Sequence, residues 1–470
     1  MPCSHGGNGD GSIVARSRAF FADAGVTLPS PAERRCPLSQ PLDYVVPTET
    51  VIPVSTTPTK FGFGATEELG YELNRMGLKR VVVVSDANLS KTGLLEKVEG
   101  VLARDGIDAE AYYRAHVEPT DASFREAIDF IKSRTFDGIV AVGGGSVIDT
   151  AKAMNLYGTY PADLLDYINA PIGGGKAVPG PLKPLVAVPT TAGTGSEATT
   201  VIVLDLLDLK VKTGISHQYI RPSMAVIDPL NTVTMPPTVT AASGMDVLTH
   251  AIESYTAVPF HARPKPASPA ARPPYIGSNL IADLWSRKAI ELAGRYIRRA
   301  VLSPYDLEAR YHMMAASTFA GIGFGNAGVH VPHAMGYPIA GMVKEYRPPD
   351  YVVDEAMVPH GISVSVTAPA CFRFTSVAHP RRHLDVAEAL GADVEGLPLA
   401  EAGECLAETL TDIMRDIKFP NGIGGLGYEA GDIPQLVEGT LKQQRLLVVS
   451  PVTPTPEDLS RIFNESLTNW

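Results

Sequence analysis

Cysteine is scarce: four residues in 470, at positions 3, 36, 371 and 405, with no Cys-x-x-Cys pair among them. That spacing indicates neither a zinc knuckle nor a disulfide framework, and it fits a reducing compartment. Basic charge is also short. Forty Lys and Arg stand against 51 Asp and Glu, a net charge of -11, which argues against nucleic acid or an anionic membrane as a partner, since either needs a basic surface. No apolar run reaches the roughly 18 residues of a membrane span. The first eleven residues are polar and glycine-rich and lack the basic-then-apolar order of a secretion signal. Residues 1–40 read as a mobile tail in which His5 beside Cys3 makes a poor metal site. Two arginines between Ile13 and Phe21 keep a mitochondrial presequence open. The expected location is the cytoplasm, or the mitochondrion if the source is eukaryotic.

What is present is an ordinary globular composition, 45% hydrophobic and 19% charged, long enough for two domains or three. From Lys79 to Asp86 the chain reads KRVVVVSD. A β-branched run without alternation indicates a strand buried on both faces, as in a parallel sheet. Strand and helix signals then alternate to residue 228, which is an α/β order. From Pro236 the pattern changes to long helical segments, among them Asp306–Gly321 and Gly361–Phe374. The expected division is an extended N-terminal segment (1–50), an α/β dinucleotide-binding domain (51–235) and a helical metal- and substrate-binding domain (236–470).

Two loops follow buried strands. Gly143-Gly144-Gly145-Ser146 opens a helix, where glycines let backbone amides approach an anion such as pyrophosphate. A plain strand-to-helix turn, with Ser146 and Asp149 as a capping-box-like start, explains the same residues. The second loop, Pro189 to Glu197, offers Thr190, Thr191 and Thr194 to a nucleotide. Two such loops suit a site at the carboxyl ends of a parallel sheet. Asp86, ending the first strong strand, is placed to accept from a ribose 2′-hydroxyl, which favours NAD over NADP. Lys212, on the second arm of a hairpin, points to the cofactor or to water.

Asp246 and His250 are four apart in a run of helical periodicity, so a carboxylate and an imidazole share one face. Alone, this pair is more simply an ordinary polar contact. Two further histidines, His333 and His360, in short apolar settings raise the metal reading, and one hard oxygen with borderline nitrogens suits Fe²⁺ or Zn²⁺. Between Pro259 and Pro274 six prolines exclude helix and strand. The basic residues of that loop, Arg272 among them, are candidates for a substrate carboxylate, although a solvated insertion is as good a reading for any one of them.

The motifs GGGSxxDxAK at 143–152, PTTAGTGSE at 189–197, GMDxLTHAIESYT at 244–256 and the two later histidine motifs resemble the group III, iron-dependent alcohol dehydrogenases. That resemblance implies a Rossmann-like domain joined to an all-α metal-binding domain, the fold shared with dehydroquinate synthase. It places Asp246, His250, His333 and His360 as ligands of Fe²⁺, with Zn²⁺ as the alternative. It assigns Gly143, Gly144, Gly145, Ser146, Asp149, Thr190, Thr191, Thr194 and Lys212 to the cofactor and Asp86 to NAD selection. Wording such as VEPTD at 117–121 and RPPY at 272–275 is most similar to members that oxidise 4-hydroxybutyrate to succinic semialdehyde while reducing 2-oxoglutarate, with the nicotinamide retained. No catalytic residue beyond the ligands is implied. The implied partners are small hydroxyacids and oxoacids, with a homodimer as the assembly. Rival readings are an NAD-dependent alcohol or lactaldehyde-type dehydrogenase that releases NADH, a dehydroquinate-synthase-like lyase, and a non-catalytic assembly protein. Tyr337 stands where many members carry a further histidine and is, with Arg272 and His330, a candidate substrate contact. His330 reads as supporting or structural, with substrate contact as its other candidate role. Residues 344–354 read as an insertion that shapes the pocket or decorates the surface.

Overall fold

The β-branched run at 80–84 is the second strand of a six-stranded sheet, and its alternate residues feed two separate cores. Val81 and Val83 join Val140, Val142, Val186 and Val188 on one face, whereas Val82 and Val84 join Ile139, Ala141, Leu185 and Ala187 on the other. A strand apolar on both sides is what such a position requires. The computed structural model describes residues 48–470 apart from 210 and 354, and residues 48–470 form one compact unit. The expected N-terminal segment, with Cys3, Cys36, His5 and the stretch Ile13 to Phe21, lies outside the described residues except for its last three positions.

Strands β1 (Thr59–Phe61), β2 (Arg80–Val84), β3 (Asp108–Tyr112), β4 (Gly138–Gly143), β5 (Leu185–Pro189) and β8 (Met224–Ile227) form an all-parallel sheet in the order β1-β8-β5-β4-β2-β3. The expected hairpin is the antiparallel pair β6 (Val201–Leu206) and β7 (Val211–Ser216). Helices α1 (Leu69–Arg75) and α2 (Leu94–Arg104) cover one face of the sheet, and α3 (Asp121–Lys132) and α4 (Gly145–Thr159) the other. A short α5 (Leu164–Tyr167) follows.

After β8 every regular element among the described residues is a helix: α6 (Pro237–Thr256), α7 (Leu280–Leu302), α8 (Leu307–Ala327), α9 (Val331–Gly341), α10 (His360–Ser365), α11 (Ala368–Thr375), α12 (Pro380–Ala389), α13 (Ala402–Asp416), α14 (Ile433–Leu441), α15 (Gln444–Leu447) and α16 (Pro456–Glu465). Two helix expectations change. The segment read as Gly361–Phe374 is two helices, because Pro369 has no amide hydrogen and its ring would meet the carbonyl one turn back. The segment read as ending at Gly321 runs on to Ala327, since its glycines serve contact rather than termination. A Cβ on Gly321 would stand 2.9 Å from Gly195 Cα, in the loop after β5. Gly195 itself has φ +58°, which favours glycine. This backbone-on-backbone contact joins the sheet's carboxyl edge to the helical half. Gly321→Ala is therefore expected to cost about 1–3 kcal/mol through overpacking, read as a lower midpoint in chemical denaturation; an unchanged midpoint would show that the contact has slack.

Candidate metal centre

α6 carries Asp246 and His250 one turn apart, α9 carries His333 in its first turn, and His360 is the first residue of α10. One donor atom from each of the four lies within 4.8 Å of all the others. Asp246 Oδ1 is 3.5 Å from His250 Nδ1 and 3.8 Å from His333 Nε2. Among the described residues, these three atoms and His360 Nδ1 are buried without a hydrogen-bond partner. Buried polar atoms normally find partners, so four orphans converging on one point fit a bound cation. The chemistry of the set agrees, with one carboxylate oxygen and three imidazole nitrogens for Fe²⁺ or Zn²⁺.

Burial pushes the Asp246 carboxyl up to about 7, with the neighbouring His333 pulling it partly back. Burial likewise holds His250 well below its ordinary value and pulls His360 down to about 3, which keeps both imidazoles neutral as metal ligation requires. His333 moves the other way. Burial lowers it, but the charge and hydrogen bond of Glu253 outweigh that effect.

Each imidazole is held by something else. Glu253, two turns beyond Asp246 on α6, bonds His333 Nδ1 with one oxygen, while the other accepts the backbone amides of His330 at 2.8 Å and His333 at 3.2 Å. One carboxylate thus orients a ligand and satisfies the start of α9. The His250 ring stacks on Phe324, centroids 4.0 Å apart. His360 donates its backbone amide to Glu118 Oε1 at 3.0 Å, and Glu118 Oε2 lies 2.7 Å from Lys212 Nζ. Asp205 completes the clamp on Lys212 at 2.8 Å. Glu118 holds a left-handed φ of 56°, a cost that this network offsets.

Two cavities meet here. The larger, about 1040 Å³, runs from Asp86 and Asn88 past Glu118 and Lys212 to Tyr337 and Met357. The smaller, about 110 Å³, is bordered by His250, His333, His360, Gly145, Ser146, Asp149, Thr194, Tyr275, Phe324 and Arg445. Glu118, Lys212 and Tyr337 border both. Asp86 is on the large cavity, with its Oδ1 accepting the amides of Asn88 and Leu89. Gly143, Gly144, Thr190 and Thr191 border neither cavity. They join the two loops, with Thr190 N donating to the Gly143 carbonyl at 3.1 Å and a Cβ on Gly144 meeting Thr191 Cγ2 at 3.1 Å.

Several expectations are corrected by position. No side chain caps α4, so the capping-box reading of Ser146 and Asp149 fails. Ser146 Oγ accepts from Glu118 N, and Asp149 spends its oxygens on Ser196 Oγ, Lys152 Nζ and Val203 N. Lys212 does not point to water, being enclosed between two carboxylates. Arg272 is not at either cavity: it forms an ion pair with Glu49 at 2.7 Å. His330 is fully buried and borders neither cavity, its Nε2 3.2 Å from Thr256 Oγ1, which favours the supporting role over substrate contact. Lys344, Val352 and Val353 border the large cavity, so the described part of the expected insertion helps shape it. Glu253, Glu118, Phe324 and Arg445 were missed. Glu253 had a signal, being seven residues after Asp246 and three after His250 on one helix face; Arg445 had none.

A parallel α/β sheet joined to a helical half that carries an Asp-His₃ cluster beside a long cavity is the arrangement of a metal-dependent dehydrogenase. The iron-containing alcohol dehydrogenase model matches residues 56–229, and the Fe-containing alcohol dehydrogenase C-terminal model matches residues 275–467. The chain belongs to the iron-containing alcohol dehydrogenase family, and is an oxidoreductase acting on CH–OH groups. It is 51% identical over 422 residues to the mitochondrial hydroxyacid-oxoacid transhydrogenase of Bos taurus, covering 89% of this chain and 91% of that one. The Homo sapiens protein of the same name is 49% identical, with 89% and 90% covered. Among solved structures, a 1,3-propanediol oxidoreductase superposes with TM-score 0.78 at 30% identity, covering 89% of this chain and all of that one. The alcohol dehydrogenase of Oenococcus oeni gives 0.78 at 27%, with 88% and 100% covered. Membership implies NAD(H) and a divalent metal.

Two variants test the supports. Glu253→Gln keeps the amide contacts but weakens the hold on His333; metal affinity should fall about 10- to 100-fold in chelator competition. Lys212→Met strands two carboxylates and should cost about 3–5 kcal/mol in urea unfolding.

Proposed function

We propose that this chain transfers hydride from 4-hydroxybutyrate to 2-oxoglutarate through a retained NAD, giving succinic semialdehyde and 2-hydroxyglutarate. One observation carries the reading: four convergent donor atoms, within 4.8 Å of one another, in a chain 51% identical to a protein named for hydroxyacid-oxoacid transhydrogenation. Asp246, His250, His333 and His360 would hold Fe²⁺, with Zn²⁺ suited to the same donors. When bound, the ion lends Lewis acidity to the substrate oxygen and the nicotinamide carries the hydride.

The chain's own residues do the rest. Asp86 borders the large cavity where it can accept from a ribose hydroxyl and repel a 2′-phosphate. The uncapped start of α4 presents amides to a pyrophosphate, and a Cβ on Gly145 would stand 2.6 Å from Thr194 Cγ2, so glycine there lets both loops face one ligand. Gly143, Gly144, Thr190 and Thr191 fix those loops against each other. Asp149 and Lys212 act on the cofactor by holding this wall in place. Glu253 orients the His333 imidazole, Phe324 packs on that of His250, and Glu118 holds the backbone of His360 before substrate arrives, so little rearrangement remains for the reaction. The mitochondrial relatives support that compartment, and a homodimer is the expected assembly.

The alcohol dehydrogenases among the solved structures favour one alternative, in which NADH is released each turnover. The metal-loaded protein, incubated with carbon-bound deuterium in 4-hydroxybutyrate, 2-oxoglutarate and no added nucleotide, should pass the label into 2-hydroxyglutarate over many turnovers. Label transfer only when NAD is added would support the alternative. Chelation should abolish turnover and lower the melting temperature, and Fe²⁺ should restore both.

A further inference from the structure

Arg445 on α15 is half-buried and borders the small cavity beside the three histidines. Its Nη2 donates to the Tyr337 hydroxyl at 2.9 Å, and Tyr275 borders the same cavity. Burial holds the Tyr275 phenol up at about 12, so that neighbour stays neutral. Among the described residues no carboxylate forms an ion pair with Arg445. Other enclosed cations spend their charge or their donors on partners within the chain. Lys152 has Asp149, Lys212 has Glu118 and Asp205, and Arg272 has Glu49. Arg310 spends its donors on the carbonyls of Pro304 and Met235 and on Thr240 Oγ1. A buried guanidinium without a counter-charge is costly unless something else supplies the charge.

Its position says what that is. The Tyr337 ring centroid is 6.1 Å from that of His360 and 5.8 Å from the Arg445 guanidinium carbon, so the ring neighbours both the ligand cluster and the cation, and all three border the small cavity. In 4-hydroxybutyrate two methylenes separate the carbinol carbon from the carboxylate. In 2-oxoglutarate two methylenes separate the keto carbon from the far carboxylate. One anchor at one distance therefore serves both half-reactions. We propose that Arg445, flanked by Tyr275 and Tyr337, is the subsite that binds this distal carboxylate in both the hydroxyacid and the oxoacid, an inference that rests on the substrate classes proposed above. The planar fork of arginine matches a carboxylate in two parallel bonds, and Tyr337 fixes the fork's orientation.

The test uses the full, metal-loaded chain with 4-hydroxybutyrate and butan-1-ol as paired substrates, and reads the ratio of their kcat/KM values. Arg445→Met should cut that preference about 100-fold, the scale of truncating one partner of an enclosed charge pair, while Arg445→Lys, which keeps the charge and loses the fork, should fall between Arg445→Met and the unaltered chain. Calorimetric binding of glutarate, which needs no turnover, should weaken by about the same factor in Arg445→Met. An unchanged ratio and unchanged glutarate affinity would overturn the subsite. Should Arg445→Met fail to fold, the unaltered protein decides: glutarate must bind and glutaramide must not, and equal binding overturns the proposal. Release of NADH each turnover would sink the transhydrogenase reading alone, because the carboxylate preference is measured independently of the acceptor.

Discussion

The structure is built around a place where, among the described residues, four buried donor atoms have no hydrogen-bond partner and a cation would satisfy them. Asp246 Oδ1 and three imidazole nitrogens converge without protein partners, and burial raises the carboxyl to about 7 while it drives His250 and His360 toward neutrality. Such a cluster is expensive in a folded protein unless a charge of opposite sign arrives. That expense makes it a device for binding metal, and it explains why the surroundings are so rigidly specified.

The specification reaches outward through contacts that each hold one ligand. Glu253 holds His333 and the start of α9, Phe324 stacks on His250, and Glu118 takes the amide of His360. Glu118 then passes the constraint to Lys212 and Asp205 on the β6–β7 hairpin. The hairpin belongs to the α/β half and the histidines to the helical half. The contact of Gly195 with Gly321 makes a second tie between the same two halves. The ligands are therefore positioned by both halves at once, and neither alone defines the site.

Much of this was legible in the sequence where the signal was local. A β-branched run without alternation gave the parallel sheet, and the i, i+4 spacing placed Asp246 and His250 on one face of α6. Glycine was ambiguous: around 321 it read as a helix end, while in the structure it is a point of backbone contact inside α8. Proline was the reverse, since Pro369 divides a segment whose apolar pattern looked continuous. Arginine was misassigned because pairing is a tertiary property. Arg272 stands among prolines and looked available, yet Glu49, more than 200 residues away, takes it. Arg445 sits in an unremarkable Gln-Gln-Arg-Leu-Leu run, and only the fold brings it to the small cavity.

Charge explains why these parts belong together. Four carboxylates, Asp246, Glu253, Glu118 and Asp205, surround the proposed ligands and their clamp, against two cations, Lys212 and Arg445. Lys212 is fully committed to its two carboxylates, so in a loaded site the charge that remains directed into the cavity is that of Arg445, beyond the Tyr337 ring. A neutral alcohol would leave that guanidinium facing an apolar chain. A hydroxyacid of matching length would pair with it, and in a setting of low polarity such pairing discriminates strongly because the alternative is a stranded charge. On this argument the preference for acids over simple alcohols follows from the same burial that makes the metal site work.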